Sequence, residues 1–142
     1  MVFDFIMEKQ AEQKSASAVP GKFHGFEHFC KASQYTFAGL KACVKGEAAF
    51  RQDLVVWTIN LILALVLPLD LAVRALLIFE GCVLLTTELL NSALENIVDL
   101  VSPGWNEFAK RAKDMGSAAV FCILVSLGVT WLLVILRLCK IG

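Results

Sequence analysis

Three long apolar stretches occupy most of the chain after about residue 47, and short polar segments separate them. In the first stretch, residues 54–67, only two polar residues interrupt the apolar run, and Pro68 ends it. Extending this helix back to Ala48 gives the roughly 20 residues that a membrane-spanning helix needs. The extension places Asp53 at the level of the lipid headgroups. We therefore expect a first spanning helix over about residues 48–67.

The second apolar stretch, residues 71–101, contains no proline and no run of charges. As a helix it would be roughly 46 Å long at about 1.5 Å per residue. Because this exceeds the roughly 30 Å hydrocarbon core, one end should protrude from the bilayer. Pro103 follows the stretch, and a third spanning helix is expected over about residues 107–138. Ahead of all three, residues 23–46 alternate apolar and polar positions at helical spacing, which indicates an amphipathic helix on the membrane surface.

Composition supports a membrane protein with one domain. Apolar residues make up 58% of the 142 residues and charged residues only 18%, which is too apolar for a soluble domain of this length. The formal charge of zero argues against a nucleic-acid partner. The five cysteines show no CxxC spacing, which argues against a structural zinc site or a disulfide framework. We interpret residues 1–21 as a flexible cytoplasmic tail and residues 22–142 as a single membrane domain.

The basic residues predict how the helices are oriented. Ten of the 13 Lys and Arg residues lie ahead of the first apolar stretch, residues 54–67, or between the second stretch and the third apolar run, residues 118–136. Loops rich in Lys and Arg stay in the cytoplasm. The N-terminus is therefore predicted to be cytoplasmic and the C-terminus to lie outside, in the periplasm for an inner-membrane protein.

A polar stripe follows one face of the helix predicted over residues 71–101. Its members lie at spacings of 4, 3 and 4, with Asn91 beside them: Glu88, Ser92, Glu95 and Asp99. Acids at membrane depth are costly and mark candidate functional sites. Two other interpretations stay open: a polar seam that joins helices in an oligomer, and an ion or proton carrier. Repulsion between carboxylates argues against the first, and the absence of an inverted repeat argues against the second.

The depth of the acids indicates phosphoryl transfer to a lipid. If Arg74 marks the outer interface, Glu95 falls about 20 residues later at the inner headgroup level, and Glu88 lies about 10 Å deeper. An acid as deep as Glu88 can contact a lipid hydroxyl. Glu95 and nearby Glu47 can bind the Mg²⁺ of a soluble nucleotide. No Walker loop or GxGxxG motif is present, so a soluble-kinase nucleotide fold is excluded.

Three strings resemble the prokaryotic diacylglycerol kinase family, which includes undecaprenol kinases. They are EAAFRQ at residues 47–52, ELLNSALE at residues 88–95 and RAKDMGSAA at residues 111–119. The resemblance covers residues 31–131, most of the chain. It implies an all-α integral membrane fold in the bacterial inner membrane: a homotrimer whose subunits each have three transmembrane helices preceded by an amphipathic N-terminal surface helix.

The same resemblance implies roles for individual residues. Glu88 would be the base on the lipid hydroxyl, supported by Asn91, and Glu47 and Glu95 would hold Mg²⁺ on ATP. The implied nucleotide contacts are Tyr35, Glu47, Glu95, Lys113 and Asp114. The implied lipid-lining positions are Ala49, Phe50, Arg51, Gln52, Arg74, Glu88, Ser117 and Trp131. Diacylglycerol is the expected lipid, with undecaprenol as the alternative.

Two features of the sequence receive no catalytic role. Glu80 is an acid at membrane depth that matches no position of the resemblance. Ala112, Gly116 and Ala119 form a face of small residues on the third spanning helix, which is expected to let a neighbouring helix pack closely.

Overall fold

The computed structural model describes residues 26–141, with side chains from residue 29 to residue 140. This part of the chain forms helices α1 Phe26–Gly46, α2 Ala48–Val66, α3 Leu71–Val101 and α4 Glu107–Ile141. No strand occurs between residues 26 and 141, and the prediction of an all-helical fold is confirmed. The tail predicted over residues 1–21 and the first three residues of the predicted surface helix lie outside the described residues.

The chain divides into two compact units, Met1–Ala38 and Gly39–Gly142. The described residues of the first unit belong to α1, where the aromatic side chains of Phe29, Tyr35 and Phe37 are exposed. The second unit contains the end of α1 and the helices α2, α3 and α4.

Helix α3 is the central helix of the second unit because it packs against both α2 and α4. The buried apolar residues of α3 and α4 recur at intervals of seven, which is the spacing of helices that pack at a shallow crossing angle. The core consists of Ala64, Leu77, Leu84, Val120, Leu127 and Val134. Gly81 lies between the two core leucines of α3, where a Cβ atom would come within 2.8 Å of Asn60 Nδ2 and 2.9 Å of Trp57 Cδ1. The absence of a side chain there lets α2 approach α3.

Side chains complete the hydrogen bonding at two helix ends. At the end of α2, Arg74 Nε donates to the carbonyl oxygen of Ala64 at 3.0 Å, and Arg74 Nη2 donates to that of Leu67 at 3.3 Å. The Ala64 carbonyl has no amide partner one turn later, because Pro68 has no N–H and stops the helix from continuing. The Leu67 carbonyl also accepts from the backbone N–H of Leu69 at 2.8 Å. At the start of α4, Asn106 Oδ1 accepts from the backbone N–H groups of residues 108 and 109, at 2.9 and 3.1 Å.

Polar side chains also connect α2, α3 and α4 in the apolar middle of the second unit. Glu80 Oε1 accepts from Ser126 Oγ at 2.6 Å and from Thr130 Oγ1 at 3.1 Å, joining α3 to α4. Asn60 Nδ2 donates to the carbonyl oxygen of Leu77 at 2.8 Å, and Asn60 Oδ1 accepts from Trp131 Nε1 at 3.0 Å. Such bonds stabilise helix pairs in lipid, where an unpaired polar group is costly.

The outer surface of the second unit is apolar. Large hydrophobic side chains are exposed on α2, α3 and α4, among them Ile59, Phe79 and Phe121. A soluble monomer rarely exposes apolar surface so extensively. Among the described helices, Ala48–Val66 and Glu107–Lys140 are long and apolar enough to cross a membrane.

Candidate functional site

The polar stripe of α3 passes from the interior of the unit to its surface. Glu88 and Ser92 are buried, Glu95 is half-buried, and the side chain of Asp99 is 66% exposed. The four residues share one face of one helix. Along this face, burial decreases toward the C-terminal end of α3. One acid is therefore enclosed by apolar helices while the next acids along the same face meet solvent.

Asn91 links the middle of this stripe to Glu95. Its Nδ2 donates to Glu95 Oε1 at 3.2 Å, one helical turn away. Its Oδ1 is buried and has no hydrogen-bond partner among the described residues. This oxygen faces α4, because a Cβ atom at Gly116 would lie 2.1 Å from it.

Glu47, between α1 and α2, is brought to the same end of α3. Asn96 Nδ2 donates to Glu47 Oε1 at 3.4 Å and to the carbonyl oxygen of Ser92 at 2.7 Å. Glu47 therefore lies beside the part of α3 that carries Glu95, and its role as a metal ligand stays a prediction. The sequence interpretation missed Asn96, for which no motif or spacing provides a signal.

Asp53 is a second residue that the sequence interpretation did not assign to the site. We expected it at the headgroup level, but it is buried in the second unit at 8% exposure, and it lies within electrostatic reach of Glu88. Glu95 and Glu47 also interact electrostatically with Glu88. An acid directly before the apolar run, within the expected spanning helix, was the signal that could have identified it.

The two residues implied to contact the nucleotide from α4 carry ion pairs. Lys113 Nζ lies 2.6 Å from Asp99 Oδ1 on α3, and Lys110 Nζ lies 2.5 Å from Asp114 Oδ2 on the same helix. All but Lys113, which is half-buried, are exposed. Exposed ion pairs contribute little stability, about 0–1 kcal/mol each, so a phosphate group can replace either partner. Tyr35, the implied nucleotide contact on α1, belongs to the first unit and is exposed.

The residues implied to line the lipid site are not gathered in one place. Phe50 is buried in the second unit, and Arg51 Nη1 donates to the carbonyl oxygens of residues 44 and 45, at 3.2 and 3.5 Å. Arg74 and Trp131 hold helices together, as described above, and Arg74 lies about 31 Å along α3 from Glu95. The remaining three, Ala49, Gln52 and Ser117, are exposed.

The donor atoms at the end of α3 suit Mg²⁺ that is bound together with phosphate groups. No three His, Cys, Asp or Glu side chains between residues 29 and 140 form a group that would hold a metal ion alone. Mg²⁺ commonly takes one or two carboxylates and completes its coordination with water and substrate phosphates. The carboxylates of Glu47 and Glu95 are oxygen donors of this kind.

Cys43 lies in the part of α1 that belongs to the second unit, and nearby acids interact electrostatically with its thiol. Partial burial raises the pKa of the Cys43 thiol, and the negative charges of Glu47 and Glu88 raise it further. The thiol is therefore kept in its neutral, less nucleophilic form. The carboxylates of Glu47 and Glu88 near this thiol favour a cation.

Comparison with known proteins agrees with these features. The family model of prokaryotic diacylglycerol kinase matches residues 34–135. The diacylglycerol kinase of Escherichia coli (strain K12) is 40% identical over 107 residues, which cover 75% of this chain and 88% of that protein. The diacylglycerol kinase of Pseudomonas aeruginosa is 41% identical over 112 residues, covering 79% and 91%. That of Helicobacter pylori is 36% identical over 113 residues, covering 80% and 88%. The chain therefore belongs to the prokaryotic diacylglycerol kinase family, a family of membrane lipid kinases.

Proposed function

We propose that this protein uses ATP and Mg²⁺ to phosphorylate diacylglycerol to phosphatidic acid at the cytoplasmic face of the bacterial inner membrane. The proposal also takes the protein to be a homotrimer with three spanning helices in each subunit, a cytoplasmic N-terminus and a periplasmic C-terminus. One observation carries it: a buried acid, Glu88, shares a helix face with a half-buried acid, Glu95, beside which Glu47 is held.

Glu88 is the catalytic base in this proposal. Its carboxylate accepts the proton of the lipid hydroxyl as the hydroxyl oxygen forms a bond to the γ-phosphorus of ATP. The bond between that phosphorus and the β–γ bridging oxygen breaks, and ADP leaves. The burial of Glu88 supports this role because a lipid hydroxyl reaches the protein from the apolar side.

Glu47 and Glu95 hold the metal, and Asn91 orients Glu95 through its amide. Bound Mg²⁺ supplies positive charge that neutralises the phosphate oxygens during transfer. Lys113 contributes a further positive charge for the phosphates once it exchanges its contact with Asp99. Asp114 and Tyr35 complete the proposed nucleotide contacts.

The lipid hydroxyl reaches Glu88 from the apolar side of the bundle in this proposal. The lipid contacts carried over from the resemblance are Ala49, Phe50, Arg51, Gln52, Arg74, Ser117 and Trp131, which lie at different levels of the second unit. Residues 22–142 act as one membrane domain in this proposal, and residues 1–21 are a cytoplasmic tail.

The direct test is turnover in vesicles. Purified protein is reconstituted with either diacylglycerol or undecaprenol at matched mole fraction, and ATP labelled at the γ-phosphate is supplied with Mg²⁺. We expect label to enter diacylglycerol faster than undecaprenol and to enter neither lipid when a chelator removes the metal. Faster labelling of undecaprenol would make the protein an undecaprenol kinase. ATP added to sealed inside-out membrane vesicles, but not to right-side-out ones, should support the reaction.

A further inference from the structure

We infer that Gly116 is a positioning residue: the absence of a side chain at this place on α4 makes room for the Asn91 amide, which in turn holds Glu95. The inference rests on the proposed function, because Glu95 matters there as a ligand of the metal. It extends that function to a residue whose expected role was only to let helices pack closely.

The contact between α4 and Asn91 leaves no space for a methyl group. A Cβ atom at Gly116 would lie 2.1 Å from Asn91 Oδ1 and 3.3 Å from Asn91 Cγ. Carbon and oxygen atoms that are not bonded stay more than about 3 Å apart, at the separations where dispersion becomes favourable. Either the amide or the helix must therefore move if residue 116 gains a side chain.

The amide has little freedom to move and keep its hydrogen bond. Asn91 is 9% exposed, its Oδ1 is buried without a partner, and its Nδ2 is engaged with Glu95 Oε1 at 3.2 Å. Rotating the amide away from α4 withdraws Nδ2 from Glu95, because the two amide atoms turn together. Gly116 thereby determines the orientation of a metal ligand with which it has no contact of its own.

A retreat of α4 is the alternative response to a methyl group. Lys113 lies about one turn before Gly116 and contacts Asp99 on α3. Moving α4 away would lengthen that contact as well. The two responses can be told apart by removing the amide of Asn91. Rotation of the amide then cannot occur, whereas a retreat of α4 still can.

The test compares Gly116→Ala with Gly128→Ala. Gly128 lies on the same helix, and a Cβ atom there would meet nothing within 4 Å, so it is a matched control. Binding of Mn²⁺ is measured by its paramagnetic resonance in the presence of ADP, alongside thermal unfolding and kinase turnover. We expect Gly116→Ala to weaken Mn²⁺ binding about tenfold, as for loss of one hydrogen bond to a charged group. Gly128→Ala should bind Mn²⁺ like the unmodified protein.

A double variant separates action through Asn91 from a general packing defect. Once Asn91→Ala has removed the amide, adding Gly116→Ala should weaken Mn²⁺ binding no further, and the two losses should not add. If Gly116→Ala alone fails to fold, the double variant should fold, because the obstructing amide is gone.

Three results would overturn the inference. They are unchanged Mn²⁺ binding in folded Gly116→Ala, equal weakening in Gly128→Ala, and additive losses or persistent misfolding in the double variant. Failure of the proposed function is distinguishable, because the unmodified protein would then phosphorylate neither lipid while these binding measurements still report on Gly116.

Discussion

At the scale of single residues, two buried acids on α3 have different surroundings. Glu80 Oε1 receives hydrogen bonds from two hydroxyl groups of α4. Its Oε2 is buried without a partner among the described residues. Glu88 instead lies near other carboxylates, those of Asp53, Glu95 and Glu47, and its one side-chain hydrogen-bond partner in the described part of the chain is Asn91. Hydroxyl donors stabilise an acid within a helix bundle, whereas gathered carboxylates favour a cation or a proton that moves. Burial alone therefore does not distinguish the structural acid from the proposed catalytic one.

This difference predicts opposite results for one substitution. Glu88→Gln removes the proposed base and should lower turnover about 100- to 10,000-fold, the usual loss for a general base. Glu80→Gln should keep most of the activity, since the amide oxygen can still accept from Ser126 and Thr130. Both variants are assayed for lipid phosphorylation, with nucleotide binding and thermal unfolding as evidence of folding. A folded Glu88→Gln variant that retains a tenth of the normal turnover would contradict the assignment.

Asn96 allows a finer test of the proposed metal site. Asn96→Ala removes the hydrogen bond to Glu47, the residue before α2. Loss of such a bond costs about 0.5–1.5 kcal/mol, so the Mg²⁺ concentration for half-maximal turnover should rise several-fold. The maximal rate should change less. Thr86→Ala is the control, because its hydroxyl bonds only to the carbonyl oxygen of Cys82 on its own helix. An equal Mg²⁺ requirement in both variants would show that Asn96 does not position Glu47.

At the scale of helices, the contacts of α2, α3 and α4 change the interpretation of Trp131. The resemblance implied that this residue lines the lipid site. Its indole N–H donates to Asn60 Oδ1, and the amide of Asn60 donates to a carbonyl of α3. The three helices are therefore joined through one amide, and Trp131 has a part in bundle stability whatever it contributes to lipid binding.

The stability of the bundle should accordingly depend on the Trp131 indole nitrogen. Trp131→Phe keeps an aromatic ring but leaves the Asn60 oxygen unpaired, which should cost about 1–3 kcal/mol. Trp105→Phe is the matched control, because Trp105 is 85% exposed and lies in the turn before α4. Thermal unfolding in one detergent compares the two variants. Equal midpoints would indicate that the Trp131–Asn60 hydrogen bond does not contribute to stability.

Helices and their ends were more predictable than the contacts between them. Apolar runs and the prolines at residues 68 and 103 are local signals, and they sufficed for the all-helical class. Which residues meet across helices depends on how each helix is rotated, and wide apolar faces determine that rotation poorly. The contacts of Asn60 with Trp131 and of Asn96 with Glu47 link residues 71 and 49 positions apart. No spacing in the sequence indicates them, so Asn60 and Asn96 were missed.

At the scale of the whole molecule, a single chain does not shield its polar stripe on every side. Helices α2, α3 and α4 leave much of their apolar surface exposed, and Glu95 and Asp99 are not fully covered. Acids that face lipid are costly, by about 2.5–3.5 kcal/mol at the centre of a bilayer and by less near the headgroups, where Glu95 is expected. Closed symmetric assembly places an equivalent surface of another copy beside each stripe. The proposed homotrimer would thus complete the site with residues from two subunits.

Mixing two inactive variants tests this arrangement. Glu88 and Lys113 lie on different helices. A shared site would combine Glu88 of one subunit with Lys113 of another, which requires Lys113 to leave Asp99 of its own chain. When equal amounts of Glu88→Gln and Lys113→Ala are unfolded together and reassembled, about three quarters of the trimers should be mixed. Each mixed trimer should hold one intact site of its three, which predicts recovery of about a quarter of normal turnover. Differently tagged chains, purified through both tags, establish that mixing occurred. Mixed trimers without recovered turnover would mean that each subunit builds its site alone.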